Sequence, residues 1–150
     1  MKLDQLFAHW EEVRGGLLAT IDKFDQAELA YRPFDTSWSA GGIMLHIANA
    51  EEGWFRCVVT RELAEWPADY SLEAYPTAEA IKALLTEVHG RTTAYLANLD
   101  LAELGRPVEA FWGETLSLGW IIWHVLEHEI HHRGELSLIL GLLGREGLDV

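Results

Sequence analysis

The sequence predicts an all-α fold, a single four-helix bundle spanning residues 1–150. Three observations carry that reading. Apolar residues recur at spacings of three and four along four separate stretches, the period of a helix buried on one side. No stretch alternates apolar and polar residues convincingly, although "RPVEAFW" could be locally extended. A chain of 150 residues, 49% of them hydrophobic, is long enough for one proper core and too short to favour two. Four helices of roughly 20 residues in one small domain are expected to pack as a bundle.

The first helix is predicted from about Leu3 to Asp25, on Leu6, Trp10, Val13, Leu17 and Ile21. Within it, Gly15-Gly16 is either a weak spot or a close-packing point. A linker with Pro33 and several turn formers follows. The second helix starts at Ser37 or Ser39, either of which can cap it, and runs on to stop before Pro67. Thr77 caps the third, with Glu79 in the first turn, where the helix dipole favours an acid. It runs to about Leu99 on a stripe that includes Ile81, Leu84, Leu85 and Val88. Gly105, Pro107 and Gly113 mark the last linker. The fourth helix begins near Thr115 or Ser117 and runs to about Leu143.

Composition narrows the function. Eleven basic against 24 acidic residues leave a formal net charge of −13, which disfavours nucleic acid and anionic membrane surfaces as partners. Cys57 is the only cysteine, so no internal disulfide framework is expected, in keeping with a cytoplasmic protein. The N-terminal stretch is charged and amphipathic, unlike a signal peptide, and no run is long and apolar enough to span a membrane.

The chemistry concentrates in "HEIHH", residues 128–132. It satisfies H-E-x-x-H, the zinc-protease pattern. On a wheel with His128 at zero, Ile121 and Ile139 fall at about 20° and Val125 and Leu143 at about 60°, taken as the core stripe. His132 falls at about 40° and Glu135 at about −20°, both aimed at that stripe, while His124 and His131 lie on one margin at about −40° and −60°. On the second helix His46 shares a face with Ile43, Ala50, Trp54 and Cys57, all within about 80°. One histidine on an apolar face is usually a satisfied core residue. Two at i and i+4, with a third on another helix, form an arrangement that a divalent metal would satisfy.

The protease reading lacks its context. Glu135 and Leu138 occupy the glycine and final-histidine positions of the extended motif. Only 18 residues follow His132, no later helix supplies a glutamate, and no sheet edge is present to bind peptide. Glu129, at about 100°, could act as acid or base or support a ligand. A di-iron bundle needs a second E-x-x-H, which "HIANAEE" does not offer.

"SWSAGGIMLHIANAEEGWF" and "HVLEHEIHHRGEL" resemble the two signature blocks of the DinB-like superfamily, which includes the YfiT-type metal-dependent hydrolases. The resemblance implies a bundle of up-down-down-up connectivity. It also implies a three-histidine metal site, mapping onto His46, His128 and His132, the histidines that the wheels select. Glu135 stands where the family often has Gln, so it could support a ligand or be an extra one. Three histidines leave metal positions open, the layout of a catalytic site. By resemblance, the expected function is a metal-dependent enzyme on small molecules. That means a hydrolase, or an S-transferase that joins a thiol of the bacillithiol or mycothiol kind to an electrophile. Zinc, nickel or iron would serve. The alternative is a bundle that binds a metal or ligand without catalysis, as a sensor or stress-response protein, its site closed by a fourth protein ligand.

Trp38, Trp54 and Trp112 are candidates to line a pocket, with His124 and His131 as further candidates facing substrate. His9 and His89 lie near stripe edges and carry no assigned role. The apolar "LSLILGLLG" near the C-terminus could support a homodimer.

Overall fold

The computed structural model describes residues 1–148 and is mostly helical. Among the described residues five α-helices occur in order: α1 (Leu3–Leu6), α2 (His9–Ile21), α3 (Ala40–Glu52), α4 (Ala78–Leu96) and α5 (Leu118–Leu142). Strands β1 (Pro107–Glu109) and β2 (Thr115–Ser117) form an antiparallel hairpin before α5, with Val108 opposite Leu116. Gly113, at φ +90°, supplies the left-handed residue of its turn. That hairpin is the extended segment around "RPVEAFW"; three-residue strands are too short for alternation to reveal.

Capping matches the expected chemistry. Ser39 accepts from the Gly42 amide at 3.0 Å, Thr77 from Ala80 at 3.1 Å and Ser117 from Trp120 at 3.1 Å. Thr115 instead lies in β2. Two boundaries differ from expectation. The first helix is split at Phe7–Ala8, because its first turn is tied to the far end of α4. The Leu3 amide donates to the Leu99 carbonyl at 3.0 Å, and the Lys2 ammonium pairs with Asp100 at 3.1 Å. The second helix stops before Pro67 as expected, but as an α-helix it ends earlier than the stretch to Leu63 that the sequence suggests. It passes into a π-helical turn over Gly53–Val59 and ends there.

The four longer helices form a closed ring of contacts: α3 packs on α4 and α5, and α2 packs on both of those. Two apolar halves fill the interior. One gathers Leu17, Ile21, Met44, Ile47, Ile81, Leu85, Leu136 and Leu140; the other Trp10, Val13, Phe55, Leu96, Ile121 and Val125. Between them lies a buried polar layer of Arg14, Glu51, His89 and Glu129, one residue from each long helix.

That layer corrects the wheel for α5. Its fully buried residues include Leu118, Ile122, Leu136 and Leu140. They lie at about 80° and 120° from His128, so the core direction is near 100°. Glu129 is in the middle of the buried face at 1% exposure, and His128 and His132 are at its edge, half-buried. A histidine at the rim of a core can meet both a metal and solvent; one at its centre could not.

Candidate metal centre

His46 comes from the second turn of α3, and His128 and His132 from successive turns of α5. His128 Nε2 lies 2.9 Å from His46 Nε2 and 3.1 Å from His132 Nε2. Donor atoms of the three residues all fall within 4.8 Å of one another. Tetrahedral zinc, with Zn–N near 2.05 Å, would hold its nitrogens about 3.3 Å apart. The observed spacing is close to that.

Hydrogen bonding alone suits this cluster poorly. Each neutral imidazole carries one N–H. His132 Nδ1 faces the Glu135 carboxylate at 2.5 Å, which holds its proton on that atom and leaves Nε2 a bare lone pair. His128 Nε2 then faces two nitrogens, one of them that bare lone pair, and has at most one proton to share between them. One cation among the three satisfies them together. Burial, followed by repulsion from His132, pushes the His46 imidazole down to about 4. Burial, then repulsion from His132 and His46, takes His128 to about 3. Both are neutral at physiological pH, the state in which an imidazole can ligate. The donor set fits a divalent ion that accepts nitrogen ligands.

The flanking residues separate into three groups. Trp38 belongs to the centre: its ring meets His46 edge-on at 4.0 Å between centroids and lies parallel to His132 at 6.4 Å. Glu135 orients His132, and His131, largely exposed, stands 3.6 Å from the other Glu135 oxygen. Trp54, Trp112 and His124 form a separate aromatic cluster one turn along α5. Trp54 meets Trp112 at 5.5 Å and His124 at 5.2 Å, and Trp120 stacks on His124 at 4.8 Å. Trp54 lies at the start of the π-helical turn over Gly53–Val59. The wider turn shifts side chains progressively out of α-helical phase toward its C-terminal end. Cys57, in the same turn, is buried and free.

Glu129 is not at the centre. Arg14 grips it through Nε–Oε1 at 2.9 Å and Nη2–Oε2 at 2.8 Å, and Trp10 Nε1 donates to it at 2.7 Å. Arg14 also donates to Glu51 at 2.5 Å and to the Leu85 carbonyl at 2.9 Å. His89, with no role expected from the sequence, meets Glu51 through Nδ1 at 2.8 Å. A carboxylate so engaged, and shielded from solvent, is not placed to act as acid or base beside the histidines. The signal in the sequence was its position: Glu129 lies between Leu118, Ile122, Leu136 and Leu140 on the wheel.

Two cavities meet at His46 and Trp38. A smaller polar one of 210 Å³ is lined by Arg32, Asn49, Asp69 and Tyr70 among others. A larger one of 770 Å³ runs from His46, His132 and Glu135 outward between residues 33–38 and the C-terminal half of α5.

Comparison with known proteins agrees with the fold. A family model described as the DinB superfamily matches residues 9–136. YjoA of Bacillus subtilis (strain 168) is 23% identical over 147 residues, covering 97% of this chain and 93% of that protein. Its crystal structure, described as DinB-like, superposes with a TM-score of 0.74, covering 97% of this chain and 96% of that one. A DinB-like protein from Bacillus cereus ATCC 10987 gives a TM-score of 0.77 at 15% identity, over 99% of this chain and 97% of the other. A mycothiol-dependent maleylpyruvate isomerase gives 0.61 at 16% identity, over 93% of this chain and 66% of that one.

Proposed function

The chain belongs to the DinB superfamily, and on that premise we propose that it is a metal-dependent enzyme acting on small molecules, its divalent ion held by His46, His128 and His132. The convergence of three imidazole Nε2 atoms from two helices carries this reading. Bound there, the ion would favour deprotonation of a thiol or water brought to it.

The remaining work falls to the chain itself. Glu135 fixes the tautomer and orientation of His132. Trp38 packs edge-on against His46 and helps hold its ring in place. Arg32 and Asp69, of opposite charge, line the polar cavity beside His46, which suits a polar cosubstrate such as a low-molecular-weight thiol. The larger cavity offers the second reactant a separate approach. Two approaches favour transfer of a thiol to an electrophile over simple hydrolysis. The likeness of the fold to a mycothiol-dependent isomerase supports the use of a thiol. The Glu135 carboxylate faces His132 Nδ1, not the three Nε2 atoms, which favours an open site over a closed sensor.

We propose with this an up-down-down-up order for the four longer helices in a single domain, and a cytoplasmic location without nucleic-acid or membrane partners. No described helix is long and apolar enough to cross a membrane. The decisive experiment is metal analysis of the purified protein, then cobalt substitution and a spectral titration with bacillithiol or mycothiol. Stoichiometric uptake lost in His46→Ala, with a thiol-dependent change in the cobalt spectrum, is expected. Absence of uptake, or uptake unchanged in His46→Ala, refutes the site.

A further inference from the structure

We infer that the larger cavity is the binding site for an uncharged or cationic apolar small molecule, and that it excludes anions. The inference rests on the metal-centre reading for its catalytic meaning, but its evidence is the cavity's own walls.

At 770 Å³ the space lies within the range of small-molecule sites, about 300–1,000 Å³. Phe34 and Trp38 form one wall, Ile43 the floor, and Leu138 and Leu142 the other wall. Phe34 is 64% exposed and Leu138 65%, so both hold apolar surface open to water on facing sides of one cleft. Single exposed apolar residues need no explanation; a facing pair whose cleft ends on a histidine cluster does.

Charge selects the ligand class. No Lys or Arg lines this cavity among the described residues, and Glu135 is its only carboxylate, at the histidine end. Arg32 donates to the Ser37 carbonyl at 2.5 Å and lines the polar cavity, not this one, so a carboxylate, sulfonate or phosphate entering would lose its hydration, gain no counter-ion from the lining side chains, and approach Glu135 and a chain of net charge −13. An uncharged aromatic or aliphatic electrophile meets no such penalty. It can lie against the Trp38 and Phe34 rings with its reactive end toward His46 and His132. The polar cavity, which does contain an arginine, differs in this respect.

Two probes of nearly the same shape separate these cases. N-phenyl-1-naphthylamine is uncharged; 8-anilinonaphthalene-1-sulfonate is the same scaffold with a sulfonate. Binding to metal-free full-length protein is followed by probe fluorescence, and oligomeric state by light scattering. The uncharged probe is expected to bind at least about ten-fold more tightly than the sulfonate. Leu138→Asp and, independently, Phe34→Asp should each weaken it by about ten-fold or more while circular dichroism stays unchanged. Equal binding of the two probes, or indifference to both substitutions, overturns the inference. So does a wild-type dimer that binds no probe and becomes monomeric in Leu138→Asp, because a second copy would then fill the cleft. Cobalt uptake, measured on the same variants, reports on the metal centre alone. Failure of the metal reading appears there and leaves probe binding intact.

Discussion

Arg14 of α2 and Glu129 of α5 form a two-pronged ion pair in the middle of the bundle, each about 97–99% removed from solvent. The pair lies in the polar layer that separates the two apolar halves, and it fixes the rotation of α5 about its axis. With Glu129 turned to Arg14, His128 and His132 are left on the adjoining edge, facing His46. The glutamate of "HEIHH" therefore positions the motif's histidines from behind.

Removing one partner of such a pair leaves a buried charge without compensation. Arg14→Met is expected to cost about 3–5 kcal/mol in denaturant unfolding, because it abandons Glu129 and Glu51 together. Glu129→Gln should also destabilise the protein, yet folded Glu129→Gln should take up cobalt with unchanged stoichiometry. Loss of uptake in a folded Glu129→Gln sample would place the carboxylate at the metal after all.

This pair also marks where the sequence was legible and where it was not. Helix periodicity located the helices, and Ser39, Thr77 and Ser117 located three of their starts, because caps and apolar stripes are local properties. His46, His128 and His132 could be brought together because two lie one turn apart and the third shares a helix face with Ile43 and Ala50. The buried layer could not be seen: Arg14 and Glu51 gave no local signal, and His89 stood near a stripe edge with no role, because their burial depends on partners on other helices. The π-helical turn over Gly53–Val59 was likewise invisible, because it arises from packing and not from a local sequence signal.

Glu135 offers a test of how the centre is tuned. Its carboxylate accepts from His132 Nδ1 at 2.5 Å, the carboxylate–histidine relation common behind metal ligands. Glu135→Gln should keep one metal per chain but weaken affinity by about 10–100-fold, measured by competition with a chelator. His132→Ala should instead abolish stoichiometric binding. Equal effects of the two substitutions would make Glu135 a ligand in its own right.

Acid should destabilise the metal-free protein in two stages. His46 and His128 are held down to about 4 and about 3 in the folded state, by burial first and repulsion from His132 second. The unfolded chain takes up those protons near pH 6.5, so it binds more protons than the native state below that pH, and stability falls as pH drops toward the folded values. Glu51 adds a second stage. Burial alone would raise its pKa, but the Arg14 charge and the His89 and Thr92 hydrogen bonds outweigh that and lower it. Its contribution is present above the unfolded carboxylate value and is lost as pH falls through the folded one. Unfolding midpoints of the metal-free protein should therefore decline from pH 7 to 4. His46→Ala should flatten the upper part of that decline and leave the lower part in place. A flat wild-type profile between pH 7 and 5 would contradict neutral, buried imidazoles.

The glycines test the packing on either side of α3. Gly15, in the middle of α2, has nothing within 4 Å of the place a Cβ would occupy, so it contributes only backbone freedom to the unfolded chain. Gly15→Ala should raise stability by about 0.5–1 kcal/mol. Gly53 is the opposite case. A Cβ there would enter the ring of Trp66, which lies over the start of the π-helical turn. Trp66 cannot swing aside freely, because its Nε1 donates to Asn49 Oδ1 at 3.0 Å, and Asn49 in turn donates to the Pro67 and Ala68 carbonyls at 3.1 and 3.0 Å. Gly53→Ala must break that chain or bend α3, and should cost about 1–3 kcal/mol. Because Asn49 also lines the polar cavity beside His46, the same change should disturb that cavity. Thermal unfolding of the two variants with equal side-chain additions should thus move in opposite directions. A stabilising Gly53→Ala would show that the Trp66 contact is not what requires glycine at the junction.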